Sequence, residues 1–265
     1  CVSSRPKTIQ IFLPFGDARG LRVAEITTRI VQVIKVPRSL LPQFFEMPES
    51  KQVGVYFLFG GGDDGAQPQV YIGQTGDLQQ RLASHHRSKD FWERALVLVS
   101  RTNSLTQTHA LFLEWHCLEA ADRAGRYLTE NGNAGSRPHT PAPLEADCLE
   151  IFETGQVLLA TLGYPVFEAV APISAKRDSE MFYLRSSGSD ARGIYTTDGF
   201  VVLAGSEGRS MNVPSIVGTS SERFRNQLIE VGAMEVRGER VVFLKDHLFG
   251  SPSMAAIALL GRTSN

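Results

Sequence analysis

Two short β-rich runs, Val53-Gly54-Val55-Tyr56-Phe57-Leu58-Phe59 and Val70-Tyr71-Ile72-Gly73-Gln74, flank the stretch Gly60-Gly61-Gly62-Asp63-Asp64-Gly65-Ala66. β-branched and aromatic side chains suit a pleated surface, whereas the glycine- and aspartate-rich stretch has no apolar area to bury. The pair therefore reads as a hairpin on which the following segments must pack. The glycine-rich stretch lacks the Lys-Ser/Thr ending and following helix that a phosphate cradle needs, so it is read as a connector.

Asp77 is a plausible N-cap for a helix to about Arg87, and Ala95 to Ser100 reads as a buried strand. A longer helix is expected from about Thr106 to Ala124, with Ala110, Leu113, Cys117 and Ala121 on one face, and a third from about Leu144 to Leu162. The central order is then β-β-α-β-α-α. Upstream, strand-like runs at 8–13 and 29–34 suggest a small β appendage, followed by a connector broken by Pro37, Pro42 and Pro48. Downstream, short strands near 181–185, 192–195, 199–204 and 240–243 and helices near 221–231 and 253–260 suggest a second module. The expected division is a β-rich extension at 1–48, a central domain at 49–165, a linker at 166–180 and a C-terminal module at 181–265.

With 265 residues, 42% of them hydrophobic, the chain is long enough for two units with cores of their own. No apolar run approaches the roughly 20 residues that span a bilayer, so a membrane partner is not expected. The formal net charge is -1. That excludes a global basic field, and any contact with a polyanion must be local. Cys1, Cys117 and Cys148 have no CxxC spacing, which argues against a disulfide framework or a structural zinc, and no secretory signal is read at the start. The expected setting is a reducing cytoplasm.

Arg81 follows Tyr71 by ten residues and precedes His85 by four, which places Arg81 and His85 on one helix face. Glu114 lies on the long helix, and Asn131-Gly132-Asn133 follows it. With Gly54-Val55-Tyr56 on one strand and Tyr71-Ile72-Gly73 on the next, this ordered set resembles the GIY-YIG nucleases, Val replacing Ile in the first triplet. The resemblance implies an α+β fold with a central three-stranded, mostly antiparallel sheet flanked by helices. It also implies an endonuclease that hydrolyses phosphodiester bonds of DNA, in prokaryotic defence, restriction or repair, with magnesium or manganese held by Glu114. Tyr56, Tyr71, Arg81, His85, Glu114 and Asn131 are the expected site residues, Asn131 being preferred to Asn133 as the structural asparagine.

The chemistry suits those residue types. A guanidinium forks onto nonbridging phosphate oxygens, and a hard dication needs few protein carboxylates when water and phosphate supply the remaining oxygens. By resemblance Tyr56 orients or deprotonates the attacking water, with His85 as rival base, since an unperturbed phenol titrates near 10. His86, His109 and His116 read as structural histidines. Arg87, Lys89, Arg94 and Arg101 supply local positive charge, and RNA offers the same phosphodiester.

The tail Phe249-Gly250-Ser251-Pro252-Ser253-Met254-Ala255-Ala256, followed by Leu260-Gly261-Arg262-Thr263-Ser264-Asn265, resembles an uncharacterised C-terminal domain often attached to such nucleases, and the RAMA domains of restriction and modification enzymes. A recognition role is expected of it, with Arg209, Arg223, Arg225, Arg237 and Arg240 as a candidate basic surface. The alternative for the whole chain is a catalytically silent nucleic-acid-binding or scaffolding module on the same fold.

Overall fold

The computed structural model describes residues 5–61, 68–131, 135–170, 180–186, 188–196, 198–230 and 232–262. Cys1, most of the glycine-rich connector, Asn133, most of the expected linker and the last three residues lie outside the described set. The chain forms two compact units, one holding Cys1–Gly61 and Pro68–Phe167 and the other holding Glu168–Asn265.

The first unit is built on strands β1 (Ile9–Phe12), β2 (Arg22–Ile26), β3 (Val31–Pro37), β4 (Gly54–Gly60), β5 (Gln69–Thr75), β6 (Trp92–Ser100) and β7 (Leu128–Thr129). Its helices are α1 (Leu41–Phe45), α2 (Leu78–Ser88), α3 (Gln107–Ala124) and α4 (Ala142–Thr161). The expected hairpin is present: β4 and β5 pair antiparallel from Gly54↔Thr75 to Gly60↔Gln69, and β4 pairs antiparallel with β6 on its other edge.

The expectation of a three-stranded sheet with a separate β appendage is corrected. All seven strands form one sheet in the order β1-β2-β3-β6-β4-β5-β7, and β3 pairs with β6 over its whole length, from Val31↔Ser100 to Pro37↔Arg94. The reason lies in β6, whose residues Ala95 to Ser100 are all buried. A strand that apolar on both faces cannot leave its peptide groups unpaired at an edge, so β3 completes it. A second difference is β7, which pairs parallel with the outer edge of β5.

Apolar residues fill both faces of this sheet. Val55, Phe57, Leu96 and Leu98 pack under α3 and α4 with Leu113, Cys117, Cys148 and Leu158. Tyr56, Leu58, Val97 and Val99 pack under α1 and α2 with Phe44, Leu78, Leu82 and Trp92. Helix α2 starts as expected, Asp77 accepting a hydrogen bond from the Gln80 amide at 2.9 Å, and it buries Leu78, Leu82 and His85. Helix α3 starts from a capping box in which Thr106 and His109 bond each other's ends, and stops at Gly125 in the left-handed region.

The second unit contains β8 (Met181–Ser186), β9 (Ser189–Thr196), β10 (Gly199–Val202), β11 (Glu207–Arg209), β12 (Met234–Arg237), β13 (Arg240–Phe243) and β14 (His247–Phe249), with α5 (Ser220–Glu230) and α6 (Pro252–Leu260). Its sheet runs β12-β13-β11-β9-β10-β14, with β8 on β9. Of the five arginines expected to form a basic surface, Arg225 is withdrawn by burial, while Arg223, Arg237 and Arg240 are exposed. Arg225 is buried and donates to the carbonyls of Ala258 and Arg209 and to Asn212, tying α5 to the end of α6. Arg237 pairs with Glu235 and Arg240 with Glu207. Among the described residues, no helix is long and apolar enough to cross a membrane.

The joined sheet makes a direct prediction. A fragment of residues 49–165, which exposes the β3-facing edge of β6, will be insoluble or will lack a cooperative melt, whereas residues 5–167 will unfold in one transition. Circular dichroism melts of both fragments check this, and equal cooperativity would contradict it.

Candidate active site

The chemistry-bearing residues gather around one phenol. Tyr56 sits in the middle of β4, fully buried at 0% exposure, with Gly73 and Val97 as its cross-strand partners. Its ring lies across Gly73, where an added Cβ would come within 2.3 Å of the Tyr56 hydroxyl. The second triplet therefore requires glycine for close approach. Gly54 has a comparable reason, since a Cβ there would stand 2.8 Å from the Leu98 carbonyl oxygen and 3.2 Å from Leu78.

The phenol is reached from α2 by two side chains one turn apart. Arg81 Nε donates to the Tyr56 hydroxyl at 3.0 Å, and His85 Nε2 lies 2.8 Å from the same oxygen. Because the oxygen already accepts from Arg81, the phenol hydrogen is free to point at His85 Nε2. Tyr71 stands beside them, its ring centroid 6.2 Å from that of Tyr56 and 5.3 Å from that of His85, with Lys89 Nζ 4.4 Å above it. Tyr56 and His85 are buried, Tyr71 is half-buried and Arg81 is exposed, so the solvent-facing side of the cluster is made by Tyr71 and Arg81.

Burial tunes these groups. Desolvation raises the Tyr56 pKa well above the usual phenol value, more than the Arg81 hydrogen bond lowers it. Desolvation, with Arg81 and Lys89 adding to it, depresses His85 to about 4, so its imidazole is neutral near pH 7. Its Nδ1 is buried and has no hydrogen-bond partner among the described residues.

Glu114 and Asn131 lie along the outer edge of β5, the strand that carries Tyr71. Beyond β7 that edge has unpaired peptide groups, and side chains satisfy them. The Asn131 amide spans Ile72, accepting from its N–H at 2.9 Å and donating to its carbonyl at 2.7 Å, as a neighbouring strand would. Two residues on, Glu114 Oε1 accepts from the Gln74 N–H at 3.2 Å. Desolvation raises the Glu114 pKa, while Gln74 and the charge of Arg81 oppose the shift.

Sequence reasoning missed Gln107, whose side chain donates to the Gln74 side-chain carbonyl and braces the residue that holds Glu114. Nothing in the spacing signals such a contact. The histidines read as structural make structural contacts, and one of the expected local cations is paired. His109 caps α3, His116 packs against Phe112 and Phe152, His86 receives Arg38, and Arg101 pairs with Glu25. Cys117 and Cys148 are buried free thiols with pKa values raised by burial.

Among the described residues there is no cluster of three or more His, Cys, Asp or Glu able to hold a metal. The donor set fits a dication only in its sparsest form: Glu114 offers Oε2, which has no partner among the described residues, and water and substrate phosphate must supply the other ligands.

Residues 182–265 match a family described as a domain of unknown function (DUF4357), which agrees with the uncharacterised C-terminal domain read from the tail. Comparison of the chain with curated proteins and with solved structures finds no match.

Two predictions follow from the site geometry. Asn131→Ala will cost on the order of 1–3 kcal/mol by orphaning both Ile72 peptide groups, and will speed hydrogen exchange at the Ile72 amide; unchanged exchange would refute this role. Stability will also fall in acid. His85, and likewise buried His247 in the second unit, titrate near 4 when folded against about 6.5 unfolded, so the stability present above pH 6.5 is lost as pH falls towards 4. Melts of wild type and His85→Gln between pH 7 and 4.5 will show a shallower pH dependence in the variant.

Proposed function

We propose that the first unit is a metal-dependent endonuclease of the GIY-YIG type that hydrolyses phosphodiester bonds of DNA, with magnesium or manganese as cofactor. One observation carries the reading: Arg81 and His85, one helical turn apart, converge on the buried Tyr56 hydroxyl beside Tyr71. A shared phenol contacted at once by a guanidinium and a neutral imidazole serves no packing need that apolar residues would not serve better.

Each residue has a task in this reading. Arg81 holds Tyr56 through Nε and also bonds Tyr71, and its remaining guanidinium N–H groups face the nonbridging phosphate oxygens in this reading, where negative charge grows as water attacks. Tyr71, at the solvent side, lines the place of the scissile phosphate. Tyr56 and His85 act as a coupled pair. The phenol is too buried and too weakly acidic to stand as a phenolate, whereas His85 keeps a lone pair available down to about pH 4. When Tyr56 takes a proton from the attacking water, its own proton passes to His85 Nε2. Hydroxide oxygen then bonds to phosphorus as the bond to the leaving oxygen breaks, and that oxyanion takes up a proton from solvent water while His85 later returns its proton to solvent.

Glu114 is the residue that would hold the dication, and Asn131 and Gln107 keep that carboxylate and β5 in place. The cation, when bound, supplies charge neutralisation at the phosphate and a bound water of lowered pKa. The matched C-terminal domain is proposed as the part that selects the nucleic acid. This reading places the protein in prokaryotic defence, restriction or repair in the cytoplasm. Total burial of Tyr56 favours a second reading, a nucleic-acid-binding module without turnover.

Cleavage of supercoiled plasmid, linear duplex, single-stranded DNA and RNA with magnesium or manganese separates the two. The nuclease reading expects DNA cutting that falls at least about 100-fold in Arg81→Ala, is not restored by Arg81→Lys, and is lost in Glu114→Gln with the fold intact. Activity should fall on acidification as Glu114 and then His85 protonate. Binding without cutting on every substrate would overturn the nuclease and support the silent module.

A further inference from the structure

A row of cations crosses three adjacent strands of the first unit on the sheet face opposite the tyrosine cluster. Side chains alternate along a strand, so Arg22, Lys35 and Arg94 share the face of Ala24, Val33 and Leu96, which belong to the core under α3 and α4. Arg22 on β2 and Lys35 on β3 are direct cross-strand partners. Arg94 on β6 lies diagonally, two residues from Leu96, the partner of Lys35. With neighbouring strands about 4.8 Å apart, the row spans roughly 10 Å.

Tyr164 completes the group. Lys35 Nζ lies 4.8 Å from its ring centroid, and the ring centroid of Phe59 stands 4.4 Å from it. Burial lowers the Lys35 pKa, with the charges of Arg22 and Arg94 adding to it; both arginines also reach Tyr164, where the exposed Glu93 carboxylate opposes them.

Like charges on cross-strand neighbours repel, and little nearby relieves them. Among the described residues neither Arg22 nor Lys35 has a carboxylate ion pair; Arg94 pairs only with its exposed sequence neighbour Glu93, at 3.0 Å. Arg22 donates to the neutral carbonyl of Ala18. The C-terminal end of α4 is close in sequence to Tyr164, but its carbonyls already accept from Leu162, Gly163 and Tyr164, and half a unit of dipole charge does not balance three cations.

We propose that Arg22, Lys35 and Arg94, with the Tyr164 hydroxyl, form a second binding site, for phosphate oxyanions. Guanidinium forks suit tetrahedral phosphate oxygens, and a row of separated cations suits successive phosphates better than one small carboxylate. A nucleic-acid strand and a small polyphosphate share that chemistry. The site stands independently of the Tyr56 cluster, and it is tested without metal so that a failure of catalysis leaves the result unaffected.

The full chain and the triple variant Arg22→Gln/Lys35→Gln/Arg94→Gln are titrated in EDTA with sodium tripolyphosphate, followed by thermal shift, and with a fluorescent oligonucleotide duplex, followed by anisotropy across salt concentrations. Wild type is expected to bind at least one probe. The variant should bind that probe at least ten-fold more weakly and, for the duplex, with a salt slope reduced by about 2 to 3. Without ligand at low salt the variant should melt above wild type, because the repulsion is gone. Weakening of the duplex alone identifies a strand as the ligand, and weakening of both probes identifies the phosphate group itself. Lys35→Gln alone, which removes the central charge, gives a smaller shift of the same sign and serves if the triple variant does not fold. Equal binding by variant and wild type, or no binding of either probe by wild type, overturns the proposal.

Discussion

The first unit depends on β6. Its apolar residues meet helices on both faces of the sheet, and both of its edges carry full ladders, β3 on one side and β4 on the other. No water can satisfy its peptide groups, so strand pairing there is obligatory. That obligation draws β1 to β3 into the sheet, and it fixes the register in which Val97 lies beside Tyr56. A one-residue slip would turn Tyr56 from the α2 side to the α3 side and dissolve the cluster.

The β5 edge of the sheet is closed by a short strand and by side chains. At β5 the ladder partner β7 is only two residues long, and the remaining edge is closed by the Asn131 amide and the Glu114 carboxylate. Residues assigned to a functional set thus also carry structural hydrogen bonds, which ties the position of Glu114 to the integrity of β5. Away from that edge, β2 and β3 bring Arg22 and Lys35 side by side as cross-strand partners, with the Tyr164 ring beneath Lys35.

Buried polar groups in the two units are handled in parallel ways. Tyr56 is held by Arg81 and His85, and Arg225 by carbonyls at the end of α6. In both places a glycine clears the approach: a Cβ at Gly73 would strike the Tyr56 hydroxyl, and one at Gly261 would stand 2.5 Å from Arg225 Nη1. The difference is access. Arg225 is closed in by its own unit, whereas the Tyr56 cluster opens to solvent through Arg81 and Tyr71.

Much of this was legible from residue order. The hairpin, α2 with its Asp77 cap, the stripe of α3 and the helical spacing of Arg81 and His85 are local properties, set by alternation, capping and a 3.6-residue period that neighbouring residues determine by themselves. What sequence order could not decide is what becomes adjacent across long separations. The pairing of β3 with β6, the Asn131 clasp on Ile72 and the meeting of Arg22, Lys35, Arg94 and Tyr164 join residues tens of positions apart. The two-residue β7 and the five-residue strand Arg22–Ile26 are too short to announce themselves, and they form because the tertiary structure offers an edge to complete. Local periodicity determined the elements; the need to satisfy a buried backbone determined how they came together.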